Sequence, residues 1–174
     1  MPKIIENLAE RLLEEAKTLL LEKGYEGLNM RAVAQQTGVG LGTVYNYYAS
    51  KDNLIAGILL QDWNQALAKL KEQAKANVGG SILTRSIYDE LIAFIERYGE
   101  MFKSAAKNGV TVRGEYHAML RSQLADLLKS VCRDEFATVF IAEALLTWTV
   151  EAVPYSQLEP LLNRIVDPVD HKEE

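Results

Sequence analysis

The sequence predicts an all-α protein built from amphipathic helices that are joined by short loops. Apolar residues recur at intervals of three and four positions over most of the 174 residues, which is the period of a helix with one buried face. Glycine, serine, asparagine or proline stands where these patterns break. No stretch alternates apolar and polar residues as a half-buried strand does, so we expect about eight or nine helices and no sheet.

The first two helices are predicted from an apolar face and from their end signals. Apolar residues between Ile5 and Leu20 share one face of the first helix, and Gly24 is placed to end it. Asn29 is placed to cap a short second helix, "MRAVAQQT". Gly38 follows that helix, and a glycine there can take the positive φ of a sharp turn.

The next three helices are separated by clear breaks. "LGTVYNYY" forms a third short helix, and Ser50 caps a long fourth helix that we expect to continue to about Asn77. "NVGGS" then interrupts the chain, so the fifth helix begins at Ser81 or Thr84. "KNGVTVRGE", residues 107–115, is the least helical stretch, and we predict a loop there.

Three helices complete the predicted fold. The sixth contains the apolar residues between Met119 and Val131, and the seventh runs from about Arg133 to Val153, before a proline. "SQLEPLLNRIV" is the last helix, with Ser156 and Glu159 at the spacing of a capping box. Pro160 fits only within the first turn of this helix, since a proline deeper inside removes a hydrogen bond.

Composition favours an ordinary globular protein. Apolar residues make up 48% and charged residues 25% of the chain. A single cysteine, Cys132, allows no intramolecular disulfide, and no signal-peptide pattern opens the chain, so we expect a cytoplasmic protein. The longest apolar run, from Phe136 to Val150, is too short to span a membrane and contains Glu143. We therefore predict no membrane partner.

The distribution of charge indicates a polyanion partner in spite of the net charge of −5. The 25 residues from Gly27 to Lys51 contain two cations, Arg31 and Lys51, and no acid. With 24 acids in 174 residues, chance would place three or four acids in a segment of that length. A surface that approaches phosphate groups excludes carboxylates, and it needs few cations where hydroxyls and backbone amides contribute.

The acid-free segment has the pattern of a helix-turn-helix, in which "TGVG" joins two short helices. Ala34 is small enough for the helices to cross closely, and Val39 and Val44 fill the space between them. The second helix of such a unit lies in the major groove of DNA. Tyr48 then points toward the core, and Tyr45 lies at the flank of the outer face. That outer face comprises Leu41, Gly42, Thr43, Asn46 and Tyr47.

These residues resemble the DNA-binding domain of the TetR family of transcriptional repressors over roughly residues 5–60. The family pattern stands here as Asn29, Val33-Ala34, Thr37-Gly38-Val39-Gly40, Gly42-Thr43-Val44-Tyr45, Tyr47-Tyr48 and Ser50-Lys51. The resemblance implies a DNA-binding domain in residues 1–50, with its helix-turn-helix at about 29–48. It implies a helical effector-binding and dimerisation domain in residues 51–174. Gly40 departs from the pattern, because the family usually has a serine there.

The resemblance also implies roles for single residues. Gly42 would let the backbone come close to a DNA strand, and Arg31 would reach a phosphate or a guanine edge. Phosphate groups would be held by Thr43, Tyr45 and Lys51. Bases would be read by Leu41, Asn46 and Tyr47.

The rest of the chain would form a homodimer, as family members do through their last two long helices. The seventh helix supports this, because Glu143 and Glu151 are the only charges from Phe136 to Val153 and the helix needs cover on nearly every side. A buried central helix in a monomer is the alternative. The predicted dimer face comprises Val139, Glu143, Leu146, Val150, Leu158, Leu162 and Ile165.

A small-molecule site is predicted from bulky apolar side chains with polar tips. An ordinary core is the alternative for the same residues. Because the sequence suggests no buried arginine or carboxylate cluster, we expect a neutral or amphipathic effector. The candidates are Trp63, Tyr98, Met101, Phe102, Tyr116, Met119, Phe140 and Trp148.

The function predicted from these features is a homodimeric repressor that an effector releases from a palindromic, double-stranded DNA operator. One alternative is a helical interaction module of the same fold that has lost DNA binding. Another is a small enzyme that uses Glu115, His117 or the tyrosines, but the chain has no nucleophile–base pattern, no glycine-rich phosphate loop and no metal-ligand spacing, so we predict no enzyme activity. The only other histidine, His171, lies in the tail, so we predict no metal site, and we also predict no cofactor.

Overall fold

Every regular element in the described part of the chain is an α-helix, which confirms the predicted fold class. The computed structural model describes residues 7–107 and 113–166, and Ile5 and the predicted loop residues 108–112 lie outside it. No helix within the described residues is both long and apolar enough to cross a membrane. The helices are α1 (Leu8–Gly27), α2 (Met30–Thr37), α3 (Leu41–Tyr47), α4 (Lys51–Lys75), α5 (Gly80–Lys107), α6 (Arg113–Leu128), α7 (Glu135–Val150) and α8 (Tyr155–Val166).

The described residues form two compact units. The first contains α1, α2, α3, the part of α4 up to Asn64, and the end of α5 from Gly99. The second contains the remainder of α4 and α5, from Gln65 to Tyr98, together with α6, α7 and α8. Two long helices, α4 and α5, therefore contribute residues to both units.

The first unit is held together by apolar residues on the inner faces of α1 to α4. Burial of one such side chain contributes about 1.5–3 kcal/mol to stability. Gly57 lets α4 approach closely, because a Cβ there would be 2.9 Å from Leu13 Cδ2 and 3.2 Å from Tyr48 Cε1. Lys17 of α1 also forms an ion pair with the buried Asp62 of α4. The fully buried side chains include Leu12, Leu19, Val33, Val44, Leu54 and Ile58.

The predicted ends of α2 and the predicted start of α4 are confirmed, whereas Gly24 does not end α1, which continues past it to Gly27. Gly24 takes a φ of 69° and interrupts α1, and Gly38 takes a φ of 71° after α2. The Asn29 side chain accepts a hydrogen bond from the Ala32 amide at 2.9 Å, which caps α2. Ser50 accepts one from the Asn53 amide at 3.1 Å, which caps α4.

Some boundaries in the second half of the chain differ from the prediction. α4 ends at Lys75, before Asn77, which takes a φ of 50°. Residues 113–115, which we expected in a loop, form the first turn of α6. α7 begins two residues later than predicted, because Asp134 accepts hydrogen bonds from the amides of residues 136 and 137. It ends before Ala152, which takes a φ of 56°.

Pro160 lies in the second turn of α8, so the expectation that it must stand in the first turn was wrong. Its missing N–H leaves the carbonyl of Ser156 without an intrahelical donor. Ser156 and Pro160 are both exposed, so water can satisfy that carbonyl.

The second unit has its own core, to which α6 and α7 contribute by packing against each other. Two tyrosines connect α5 with the end of the α7–α8 connection and with the first residue of α8. The hydroxyl of Tyr88 donates to the carbonyl of Val153 at 2.8 Å, and that of Tyr155 lies 2.8 Å from Thr84 Oγ1. The fully buried side chains include Leu83, Ile87, Leu124, Leu128, Ile141 and Leu145.

Candidate nucleic-acid interface

Helices α2 and α3 are joined as a tight helix-turn-helix in the first unit. Val33 and Ala34 of α2 and Val44 of α3 are buried, so the two helices turn their inner faces to the core. The turn is closed by the Val39 amide, which donates to the carbonyl of Ala34 at 3.0 Å. The positive φ of Gly38 makes this turn possible at no steric cost.

The outer face of α3 carries two exposed aromatic side chains. Tyr45 is 49% and Tyr47 is 51% exposed, whereas Tyr48 lies inward and its hydroxyl donates to the Ala9 carbonyl at 3.5 Å. Burial raises the pKa of Tyr48. The three neighbouring tyrosines therefore divide as predicted, with Tyr48 toward the core and the other two toward solvent. Large exposed aromatics on one short helix are typical of a binding surface.

The other predicted contacts on α2 and α3 are also accessible. Arg31, Gly42 and Asn46 are exposed, and Leu41 and Thr43 are half-buried. The two half-buried side chains flank the fully buried Val44 and still reach the surface. All seven predicted contact residues of these two helices therefore remain available to a partner.

Gly40 and Gly42 differ from Gly38, because the fold has room for a side chain at both positions. Gly40 has a φ of −68° and a ψ of 146°, and a Cβ there would meet only Thr43 Oγ1 at 3.7 Å. A Cβ at Gly42 would have no heavy atom within 4 Å. α3 begins without a side-chain cap, which is the expected consequence of glycine at position 40.

Lys51, the last predicted contact, begins α4 and is placed over an aromatic ring. Its Nζ lies 3.8 Å from the centroid of the Tyr25 ring, and the Tyr25 hydroxyl donates to Oδ1 of Asp52 at 3.1 Å. Burial, followed by the hydrogen bond to Asp52, raises the pKa of Tyr25. We did not predict a role for Tyr25. The one feature of the sequence that could have drawn attention to it is its place directly after the helix-breaking Gly24.

The predicted dimer face is only partly on the surface of the second unit. Val139 and Val150 are exposed, and Glu143 and Ile165 are half-buried. In contrast, the predicted face residues Leu146, Leu158 and Leu162 lie in the core of the same chain. α7 is apolar on nearly all sides, so the sequence could not show which side its own chain covers. The apolar stripe that the structure leaves exposed on α7 combines the predicted Val139 and Val150 with Phe136 and Phe140, which were not predicted for the dimer face.

The predicted effector residues are divided between the two units. Trp63 and Met101 are buried and Phe102 is half-buried in the first unit. In the second unit Tyr98 is buried, and the half-buried residues are Tyr116, Met119 and Trp148. Phe140 is exposed and belongs to the stripe on α7.

A polar cluster, which we did not predict, lies next to that stripe. Glu143 of α7 accepts hydrogen bonds from Arg121 at 3.4 Å and from Thr147 at 3.2 Å, and His117 Nε2 lies 3.5 Å from its carboxylate. His117 and Arg121 are four residues apart and so share one face of α6, which was the available signal. Among the described residues, no group of three or more His, Cys, Asp or Glu side chains could hold a metal ion.

The N-terminal segment of the chain is similar in sequence to known bacterial regulatory proteins. Residues 12–58 match the family model described as "Bacterial regulatory proteins, tetR family". The HTH-type transcriptional regulator UidR of Escherichia coli (strain K12) is 36% identical over 62 residues, or 36% of this chain and 32% of UidR. The repressor KstR of Mycobacterium tuberculosis is 34% identical over 67 residues, which are 38% of this chain and 30% of KstR. The chain thus matches about a third of the length of these relatives.

Solved structures extend the likeness of fold to nearly the whole chain. The multidrug binding protein EbrR, complexed with imidazole, has a TM-score of 0.66 at 21% identity, over 94% of this chain and 92% of EbrR. A TetR-family regulator from Streptomyces coelicolor A3 has a TM-score of 0.52 at 19% identity, over 90% of each chain. The fold therefore combines an N-terminal helix-turn-helix domain with a C-terminal helical domain.

Proposed function

We propose that the protein is a sequence-specific, DNA-binding transcriptional regulator, which the match of residues 12–58 to the TetR-family model supports. The observation that carries the proposal is the outer face of α3, where Tyr45 and Tyr47 are half-exposed in a segment without acids. A helix with such a face can enter the major groove without bringing carboxylates near phosphate groups.

In this proposal side chains of α3 read the bases of the operator, and residues of α2, α3 and α4 contact the DNA backbone. Gly42 allows close approach to a strand, and Arg31 reaches a phosphate or a guanine edge. Phosphate groups are bound by Thr43, Tyr45 and Lys51. Bases are read by Leu41, Asn46 and Tyr47. The N-termini of α2 and α4 add amide donors for phosphate.

The functional form is a homodimer on a palindromic operator. A chain with a net charge of −5 and two cations in its DNA-facing segment has little non-specific affinity, so two half-sites must act together. The exposed stripe on α7 supports the dimer, since Phe136 is 77% exposed and Val139, Phe140 and Val150 follow at helical spacing. A second copy can cover this stripe on both protomers at once.

The protein acts as a cytoplasmic repressor that a neutral or amphipathic small molecule releases from DNA. α4 carries residues of both units, so it can pass a change in the second unit to the first. Effector binding among apolar side chains such as Trp148 and Tyr116 then alters the separation of the two recognition helices. An operator accepts only separations near one helical turn or its multiples, so the dimer dissociates from the DNA.

Selection of duplexes from a randomised DNA pool tests the proposal. The wild-type protein should enrich a palindromic consensus, and Tyr45→Ala combined with Lys51→Ala should abolish it. The matched control is Lys71→Ala, an exposed lysine further along α4 that should leave the enrichment intact. If protein refolded free of small molecules enriches nothing at low salt, the fold serves as an interaction module that does not bind DNA.

A further inference from the structure

The side chain of Tyr25 contacts both Lys51 and Asp52, each by a different part of the tyrosine. The Lys51 ammonium lies 3.8 Å from the ring centroid, where the negative face of an aromatic ring attracts a cation. The hydroxyl donates a hydrogen bond of 3.1 Å to Oδ1 of Asp52. We propose that Tyr25 is a positioning residue, which holds Lys51 ready for a DNA phosphate and withdraws Asp52 from it.

The need for such a residue follows from the order of charges at the start of α4. Asp52 is the first acid after the acid-free segment. It lies in the first turn of α4, where a negative charge stabilises the helix. A free carboxylate there would repel DNA and would compete with phosphate for the ammonium of Lys51. Among the described residues Lys51 forms no ion pair, although Asp52 is its neighbour in the chain.

The geometry explains how one side chain meets both requirements. A cation over a ring keeps its N–H donors free for a phosphate, whereas an ammonium bound to a carboxylate does not. The hydroxyl can only act as a donor to an ionised carboxylate, because a tyrosine keeps its proton at neutral pH. Burial, followed by the hydrogen bond to Asp52, raises the pKa of Tyr25 further. Tyr25 thus separates the cation from the anion while it binds each of them.

The inference rests on the proposed function, and it is tested by the salt dependence of DNA binding. The probe is a duplex about two helical turns long that carries the palindromic consensus enriched by the selection. The slope of log K against log salt is negative, and each phosphate contact that is lost lowers its magnitude by about 0.9 per protomer. Lys51→Ala should lower the slope by this amount, Tyr25→Leu should match it, and the double variant should equal Lys51→Ala alone. A merely structural tyrosine would weaken binding at every salt concentration without changing the slope.

Two further variants decide the matter if Tyr25→Leu fails to fold, which thermal unfolding would reveal. Tyr25→Phe keeps the ring and should keep the wild-type slope, but should bind the duplex a few-fold more weakly because Asp52 is released. Adding Asp52→Asn to Tyr25→Phe should restore the affinity. The control Lys71→Ala should leave the slope unchanged, because Lys71 is an exposed lysine in a later turn of α4.

The outcomes separate this inference from the proposed function. If Lys51→Ala lowers the slope and Tyr25→Leu does not, the positioning role is overturned and DNA binding stands. If neither variant lowers the slope of a wild-type protein that binds the duplex, Lys51 makes no phosphate contact and the inference is again overturned. If the wild-type protein shows no salt-dependent binding, the proposed function and this inference are both overturned. Failure of Asp52→Asn to rescue Tyr25→Phe would contradict the part assigned to the hydroxyl.

Discussion

Gly42 is an exposed glycine inside α3 that the fold does not require, since a Cβ there would meet no heavy atom within 4 Å. Gly42→Ala should therefore raise the free energy of unfolding by about 0.5–1 kcal/mol, because alanine is the better helix former. The same methyl group should obstruct the approach of the DNA backbone and weaken operator binding by about tenfold or more, which is 1.4 kcal/mol. Urea unfolding and duplex titration measure the two effects.

The control for this change is Gly79→Ala, because a Cβ at Gly79 also meets no heavy atom within 4 Å and the residue lies outside the helix-turn-helix. It should leave DNA affinity unchanged. Operator binding by Gly42→Ala at wild-type strength would show that the backbone of α3 does not come close to DNA.

Gly40 offers the opposite change, since it stands at the N-cap of α3 with an extended backbone. Serine fits there without a clash, and its hydroxyl can accept a hydrogen bond from an amide of the first turn. Gly40→Ser should stabilise the fold by about a few tenths of a kcal/mol. It should also tighten DNA binding a few-fold, with an unchanged salt slope because a hydroxyl releases no counterion. Weaker binding, or a steeper slope, would contradict this assignment.

At the scale of the element, the contact between α1 and α4 includes one ion pair with a buried carboxylate. The carboxylate of Asp62 is 3% exposed and pairs with Lys17, whose side chain is 30% exposed. Lys17→Met should lower the free energy of unfolding by about 3 kcal/mol, because it removes the cation from a buried carboxylate. Urea unfolding checks this prediction.

A second ion pair provides the matched control. Lys69 and Glu90 are 3.7 Å apart in the second unit, with the lysine 70% exposed. Lys69→Met should cost less than about 1 kcal/mol, as solvent screens exposed pairs. Equal effects of the two substitutions would show that burial of Asp62 does not determine the strength of its pair with Lys17.

The elements also show how far the sequence could predict this fold. Caps and glycines are local signals, so Asn29, Gly38 and Ser50 correctly marked the ends of α2 and the start of α4. The buried side of α7 depends on distant residues, and an all-round apolar helix carries no local sign of it. For the same reason the partnership of Tyr25 with Lys51, across 26 positions of the chain, was not predictable from spacing.

At the scale of the whole molecule, the proposed dimer depends on the exposed stripe of α7. Phe136 and Val139 belong to it and not to the core, so Phe136→Asp with Val139→Asp should leave the protomer folded. Each phenylalanine buried at an interface contributes about 1.5–3 kcal/mol, and two-fold symmetry doubles the loss. The double variant should therefore be a monomer in sedimentation equilibrium, with unchanged helical circular dichroism.

The same stripe connects assembly to DNA binding. A monomer covers one half-site, so the double variant should lose the joint binding of two half-sites and bind a palindromic duplex no better than a single half-site. The control is Ile82→Asp on α5, since Ile82 is apolar and 58% exposed but lies on a different helix from the stripe. It should remain a dimer with wild-type affinity. If the α7 variant stays dimeric and Ile82→Asp becomes a monomer, the dimer is built on α5. The polar cluster of Glu143, Arg121 and His117 beside the α7 stripe would then lie on the free surface of the dimer.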